Sequence, residues 1–139
     1  MSKAEPTIRK YMTTEPAVIE STRSLEDADR IMKDLKIRHL PVMHDGKLLG
    51  IISDRDIKAA LGIIGSNPDS AKVADICHQH PYQVGPEHKL HEVLDEMADH
   101  HYGSVLVVQH DKLVGILTMI DVCRAFSEIL QQRFHEHTS

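Results

Sequence analysis

The sequence predicts an α/β (α+β) protein made of two copies of a β-α-β-β-α unit, packed sheet to sheet about a pseudo-two-fold axis. Three observations predict it. The 139-residue chain aligns with itself at an offset of 65, residues 15–60 against 80–125 without a gap, and eleven of those 46 pairs are identical. A repeat of this length fixes the architecture before any single element is assigned. Each copy then shows one stretch of helical period followed by two apolar runs around a tight turn. Finally, a copy of roughly 60 residues with few aromatics buries too little apolar area to stand alone, so the two copies must share burial.

Each element follows in order. A short strand at Ala17-Val18-Ile19, matched by Gln83-Val84, opens the copy. Ser24, with Asp27 three residues on, signals a helix start, and Leu25, Ala28, Met32 and Leu35 fall at helical spacing. Leu90, Val93 and Met97 repeat that stripe, with His100 at the place of Leu35, which makes it a partly buried helix residue. Leu40-Pro41-Val42-Met43, an Asp45-Gly46 turn and Leu48-Leu49-Gly50-Ile51-Ile52 read as a hairpin, matched by Val105 to Val108 and Leu113 to Leu117. A second helix starts at Ser53 or Thr118. The last helix carries an apolar stripe of Val122, Ala125, Phe126, Ile129, Leu130 and Phe134, which suits either core or a partner face. Residues 65–71, beginning Gly65-Ser66-Asn67-Pro68, form the linker.

Composition narrows the function classes. With 41% apolar and 27% charged residues the chain is an ordinary globular domain, which removes disorder and collagen-like repeats. Two cysteines, Cys77 and Cys123, make no disulfide framework and fit a reducing compartment. No apolar run approaches the roughly 18 residues of a membrane span, and Met1 to Pro6 has no signal-like apolar core, so the expected location is cytoplasmic with no membrane partner. The net charge of −5 is uneven: residues 1–65 hold 11 Lys/Arg and 10 Asp/Glu, residues 66–139 hold 5 and 11. No basic stripe runs along a face, so no nucleic acid is expected as a partner.

The segments that carry chemistry are Gly50-Ile51-Ile52-Ser53-Asp54-Arg55-Asp56 and Gly115-Ile116-Leu117-Thr118-Met119-Ile120-Asp121. In both, a strand ends in glycine and two aliphatics, a hydroxyl residue opens a helix, and an aspartate follows three positions later. One reading is a capping box, the hydroxyl bonding the N3 amide and the carboxylate reaching back to the cap. The other is a ligand site: a helix N-terminus welcomes an anion, a glycine lets a ligand approach the backbone, and a carboxylate accepts both hydroxyls of a ribose.

These motifs, with Tyr11-Met12-Thr13-Thr14-Glu15-Pro16 and Ile37-Arg38-His39-Leu40-Pro41-Val42, resemble the CBS (cystathionine β-synthase) domain family, over residues 7–64 and 72–130. Within it the chain is similar to bacterial stand-alone CBS pairs and to the CBS part of acetoin-utilisation regulators. The resemblance implies a regulatory Bateman module that needs no cofactor and binds AMP, ADP, ATP or S-adenosylmethionine between its repeats. Asp56 and Asp121 would hold ribose, Ser53 and Thr118 sugar or phosphate. Thr13, Ala17, Val18, Arg38 and His39 would face Thr118 and Asp121, and Tyr82, Gly103 and Ser104 would face Ser53 and Asp56. That sharing favours the Thr118/Asp121 cleft, whereas Arg55 and Lys58 beside the first motif favour the other. The family also implies a homodimer through the final helices and an unidentified protein partner. The second copy departs from the pattern, having Ile76-Cys77-His78 at its opening and Gly103-Ser104 in place of Arg38-His39.

Two other classes are weaker. Cys77-His78-x-His80, His100-His101 and His135-x-His137 lack the spacing of a zinc site, so no metal is expected and a His-rich metal sensor stands only as a lesser alternative. No nucleophile elbow, activated cysteine or glycine-rich phosphate loop is present, so the chain is not expected to be an enzyme. The alternative to a sensor is a ligand-free scaffold in which both motifs only cap helices.

Overall fold

The computed structural model describes residues 4–64 and 71–135. In chain order its elements are α1 (Ile8–Tyr11), β1 (Thr13–Thr14), β2 (Ile19–Glu20), α2 (Leu25–Leu35), β3 (His39–His44), β4 (Lys47–Ser53) and α3 (Asp54–Ile64). The second half has α4 (Val73–Ile76), β5 (His78–Gln79), β6 (Gln83–Val84), α5 (Leu90–His100), β7 (Ser104–Gln109), β8 (Lys112–Thr118) and α6 (Met119–His135). The β-α-β-β-α order expected of each copy is present as β2-α2-β3-β4-α3 and β6-α5-β7-β8-α6. The Gly65–Ser70 part of the expected linker lies outside the described residues. None of the described helices is long and apolar enough to cross a membrane.

Each copy contributes most of a four-stranded sheet, β2-β3-β4-β5 in one case and β1-β8-β7-β6 in the other. β2 pairs parallel with β3, and β3 pairs antiparallel with β4. The β3–β4 turn places Asp45 at φ 49° and Gly46 at φ 77°, the two positive φ values that let a two-residue hairpin follow the strand twist. His110 and Asp111 take the same conformation at φ 52° and 63°, so the second hairpin turns identically without glycine.

The outer strands β1 and β5 come from the opening of the other repeat. β5, at the start of the second copy, pairs with β4 of the first, Gly50 opposite Gln79 and Ile51 opposite His78. β1, at the start of the first copy, pairs with β8 of the second, Thr13 opposite Ile116. The cores follow the same exchange: Val73 packs in the cluster of Leu25, Met32, Leu40, Val42, Ile52 and Ile57, and Ile8 in that of Leu90, Val93, Met97, Val105, Val107 and Leu117. The described residues thus form two compact units, one within 15–81 and 110–113, the other of the remaining described residues. The repeat is the unit of sequence, and the exchanged unit is the unit of packing.

Two expected core positions are corrected. Leu35 is 54% exposed and the side chain of His100 equally so. Both lie in the last helical turn before a residue in the left-handed conformation, Lys36 or His101, where the apolar stripe has rotated out of the core.

Candidate functional site

The first motif folds as a reciprocal cap. The Ser53 amide donates to Asp56 Oδ2 at 2.8 Å, and the Asp56 amide donates to Ser53 Oγ at 3.1 Å, so two orphan donors at the start of α3 are satisfied by two side chains. The other carboxylate oxygen, Oδ1, lies 3.0 Å from Nε2 of His78, the residue that β5 brings beside β4. The Asp56 side chain is 18% exposed and that of His78 71%. The backbone at this corner is fixed by the Asp54 amide donating to the Arg38 carbonyl at 2.8 Å, and His39 stands opposite Ser53 in the β3–β4 register.

The second motif is related but differently filled. The Thr118 amide donates to Asp121 Oδ2 at 2.8 Å, and its hydroxyl turns to the same oxygen at 3.2 Å. Oδ1 accepts the Thr13 hydroxyl at 3.0 Å. Asp121 is buried, at 7% exposure, and every buried side-chain polar atom among the described residues has a partner. In each unit, then, one oxygen of the aspartate caps its own helix and the other is held by one side chain from the opening strand, His78 or Thr13.

Two stretches of the chain, residues 8–63 and 73–128, each match the family model of the CBS domain. The chain belongs to the CBS domain family. A CBS-pair structure described as an acetoin utilization protein of Vibrio cholerae is similar, with TM-score 0.83 and 33% identity over 94% of this chain and 97% of that one. CBSX2 in complex with AMP has TM-score 0.77 and 28% identity, covering 89% and 98%. The CBS domain pair of MJ0100, in complex with 5′-methylthioadenosine and S-adenosylmethionine, has TM-score 0.78 and 26% identity, covering 90% and 98%.

The remaining candidates fall into place within their units. His39 stands opposite Ser53 at the helix start of its own CBS repeat, and Arg38 adjoins the same helix start through its carbonyl. Arg55 is exposed in the first turn of α3. Ala17 packs on the core of the Asp56 unit, while Val18, 43% exposed, lines a shallow groove with Pro16, Met43 and Leu113. Tyr82 stacks on Tyr102 with ring centroids 5.1 Å apart, and its carbonyl accepts the Leu106 amide. Burial and the nearby Glu96 push the Tyr82 phenol up. Gly103 is exposed and Ser104 half-buried at the start of β7. Among the described residues no three His, Cys, Asp or Glu side chains group as a metal site.

Sequence reasoning missed His78 as a site residue. The signal was present, since His78 is the partner of Thr13 at the repeat offset of 65. It also assigned the motif glycines to ligand approach. What approaches is the chain itself: a side chain on Gly50 would strike the His78 backbone carbonyl, and one on Gly115 would lie 2.6 Å from Met12 Sδ.

Burial holds the His39 imidazole below the usual histidine range, with Asp56 and Asp54 pulling it up and Arg38 pushing it down. A histidine depressed on folding binds fewer protons folded than unfolded, so its contribution is complete above about pH 6.5 and is lost as pH falls toward the lower folded value. Melting temperature is therefore expected to drop as pH falls below about 6.5, and His39→Gln to flatten that slope. His91, raised by its hydrogen bond to Glu5, works in the opposite sense, but it is exposed and screened at high salt. An unchanged slope in His39→Gln at high salt would show that other groups carry the acid lability.

Proposed function

We propose that this chain is a non-enzymatic regulatory module that binds an adenosyl ligand, AMP, ADP, ATP or S-adenosylmethionine, and passes its occupancy to a protein partner. The observation that carries the reading is the half-committed aspartate in each unit. One carboxylate oxygen is fixed by the helix cap, and the other is held only by a side chain, His78 or Thr13, that a ribose hydroxyl can replace. The AMP bound to CBSX2, and the methylthioadenosine and S-adenosylmethionine bound to the MJ0100 pair, support that ligand class. Ser53 and Thr118 then serve sugar or phosphate at a helix start whose dipole favours an anion. Ligand shifts the equilibrium between conformations only by its differential affinity for them, and the partner reads that shift.

The exposed apolar residues of α6, Ile120, Phe126, Ile129, Leu130 and Phe134, support a homodimer formed through that helix. One experiment tests both statements. Metal-stripped protein is titrated with AMP, ADP, ATP, S-adenosylmethionine and GMP while its melting temperature is followed, and light scattering on the same sample reads the mass. A ligand at 100 times its dissociation constant is expected to add about 2.7 kcal/mol. A monomer by light scattering removes the dimer.

A scaffold is the second reading, favoured by one fact: both oxygens of Asp56 and of Asp121 already have partners. It predicts no shift with any nucleotide. A shift with zinc alone, reversed by chelator, turns the assignment to a histidine-based metal sensor.

A further inference from the structure

We infer that the two motif sites divide adenosyl ligands by charge. The Asp56 site takes a ligand with a 5′-phosphate chain, and the Asp121 site takes one whose 5′ substituent carries no net negative charge. The inference rests on the adenosyl-ligand reading above and names which chemistry each site selects.

Both sites offer a helix N-terminus, a hydroxyl and a carboxylate, so the helix dipole does not discriminate between them. The side chains do. Around Asp56 the same unit holds Arg38 at the corner that α3 starts from, Arg55 in the first turn, and Lys58 one turn on. His39 lies opposite Ser53 and His78 on Asp56 itself. At the repeat offset the five equivalent positions are Gly103, Ser104, Ile120, Cys123 and Thr13. Each of these five basic positions at the Asp56 site is a non-basic residue at the other.

The charge balance follows. Three fixed cations accompany Asp54 and Asp56, and one of them, Lys58, is paired with Asp54 at 3.0 Å. That leaves two guanidinium groups, on exposed residues, free to take up phosphate oxygens in their planar fork. At the Asp121 motif, positions 118–123 hold one buried carboxylate and no cation, and its flank is Met119 and Ile120, 51% and 61% exposed. A phosphate placed there would meet a carboxylate and apolar surface with no cation inside the motif to neutralise it, the exposed Arg124 lying one residue beyond, whereas an uncharged thioether or a sulfonium would meet apolar contact and a compensating charge. The assignment of Arg38 and His39 to their own repeat is what decides the direction. Were they partners of Asp121, the division would run the other way.

The test is calorimetric titration of the full chain with ATP and with 5′-methylthioadenosine, two adenosyl compounds differing in the 5′ substituent. In Asp121→Asn, where only the Asp56 site is intact, ATP is expected to bind at least about tenfold tighter than methylthioadenosine and to weaken as salt is raised. In Asp56→Asn the order is expected to level or invert. Arg38→Gln combined with Arg55→Gln, both at exposed positions, should reduce ATP affinity by about tenfold and leave methylthioadenosine binding unchanged. That variant keeps the test decisive if an aspartate variant fails to fold. Equal preference in the two aspartate variants, or an arginine variant that weakens both ligands alike, overturns the division and leaves the adenosyl reading standing. Absence of binding by either compound to the unaltered protein overturns the division, and absence of a shift with every nucleotide and S-adenosylmethionine in the titration above overturns the adenosyl reading as well.

Discussion

Asp121→Ala is expected to cost about 2–3 kcal/mol and to remove ligand-induced stabilisation at its site. The cap accounts for about 1 kcal/mol of that. The rest comes from the Thr13 hydroxyl, which loses its charged acceptor and with it the tie between β1 and the start of α6; a hydrogen bond to a charged group contributes about 1.5–3 kcal/mol. Asp121 is nearly buried, so water does not replace the lost acceptor freely. Asp56→Ala makes the contrast, because its second partner, His78, is mostly exposed and finds water instead. Its expected cost is the cap alone, about 1 kcal/mol. Asp121→Asn separates stability from binding: its amide oxygen still accepts the Thr118 amide and its volume is unchanged, yet it carries no charge and no second acceptor for a ribose. Chemical denaturation of the three variants checks the order, and equal losses for Asp56→Ala and Asp121→Ala would refute the role given to burial.

The elements legible in the sequence are those whose signal is local. Leu25, Ala28 and Met32 lie on one helical face because their spacing follows the helix period, and all three are buried. Asp45-Gly46 marks a hairpin because those residues tolerate positive φ. Ser53 and Asp56 announced their cap because its two hydrogen bonds span only three residues. What escaped is what depends on distant pairing. β1 and β5 have two residues each, too short for any period, and each joins the sheet of the other repeat. A self-alignment reports which residues are equivalent and is silent about which sheet a segment joins. For that reason the places of His39 opposite Ser53 and of His78 on Asp56 are not legible in the self-alignment, although all four residues sit in one unit. The glycines held the missing information, since a strand glycine with no turn to make signals close approach by another segment.

Gly50→Ala is expected to be the most damaging small substitution in the chain, and Gly115→Ala clearly milder, although the two positions are equivalent in the repeat. Neither glycine has a positive φ, so backbone conformation does not require them. The difference lies in what a methyl group would meet. At Gly50 it meets the carbonyl oxygen of His78 inside van der Waals contact and the carbonyl carbon at 3.0 Å, both backbone atoms of β5. No rotamer relieves that clash, so β5 must leave β4, and the His78 contact with Asp56 goes with it. The expected cost is about 3 kcal/mol or more, at the upper end of overpacking. At Gly115 the methyl meets Met12 Sδ at 2.6 Å, Cγ at 3.0 Å and Cε at 3.1 Å, all atoms of a flexible side chain that swings aside for about 1–2 kcal/mol. Truncation distinguishes the two cases. Met12→Ala in the Gly115→Ala background should recover part of the loss, because it removes the obstructing atoms. His78→Ala in the Gly50→Ala background should recover nothing, because the obstruction is peptide backbone. Recovery at Gly50 would mean that the His78 side chain, rather than the strand, sets the spacing, and that β5 can settle against an alanine once the imidazole no longer holds Asp56.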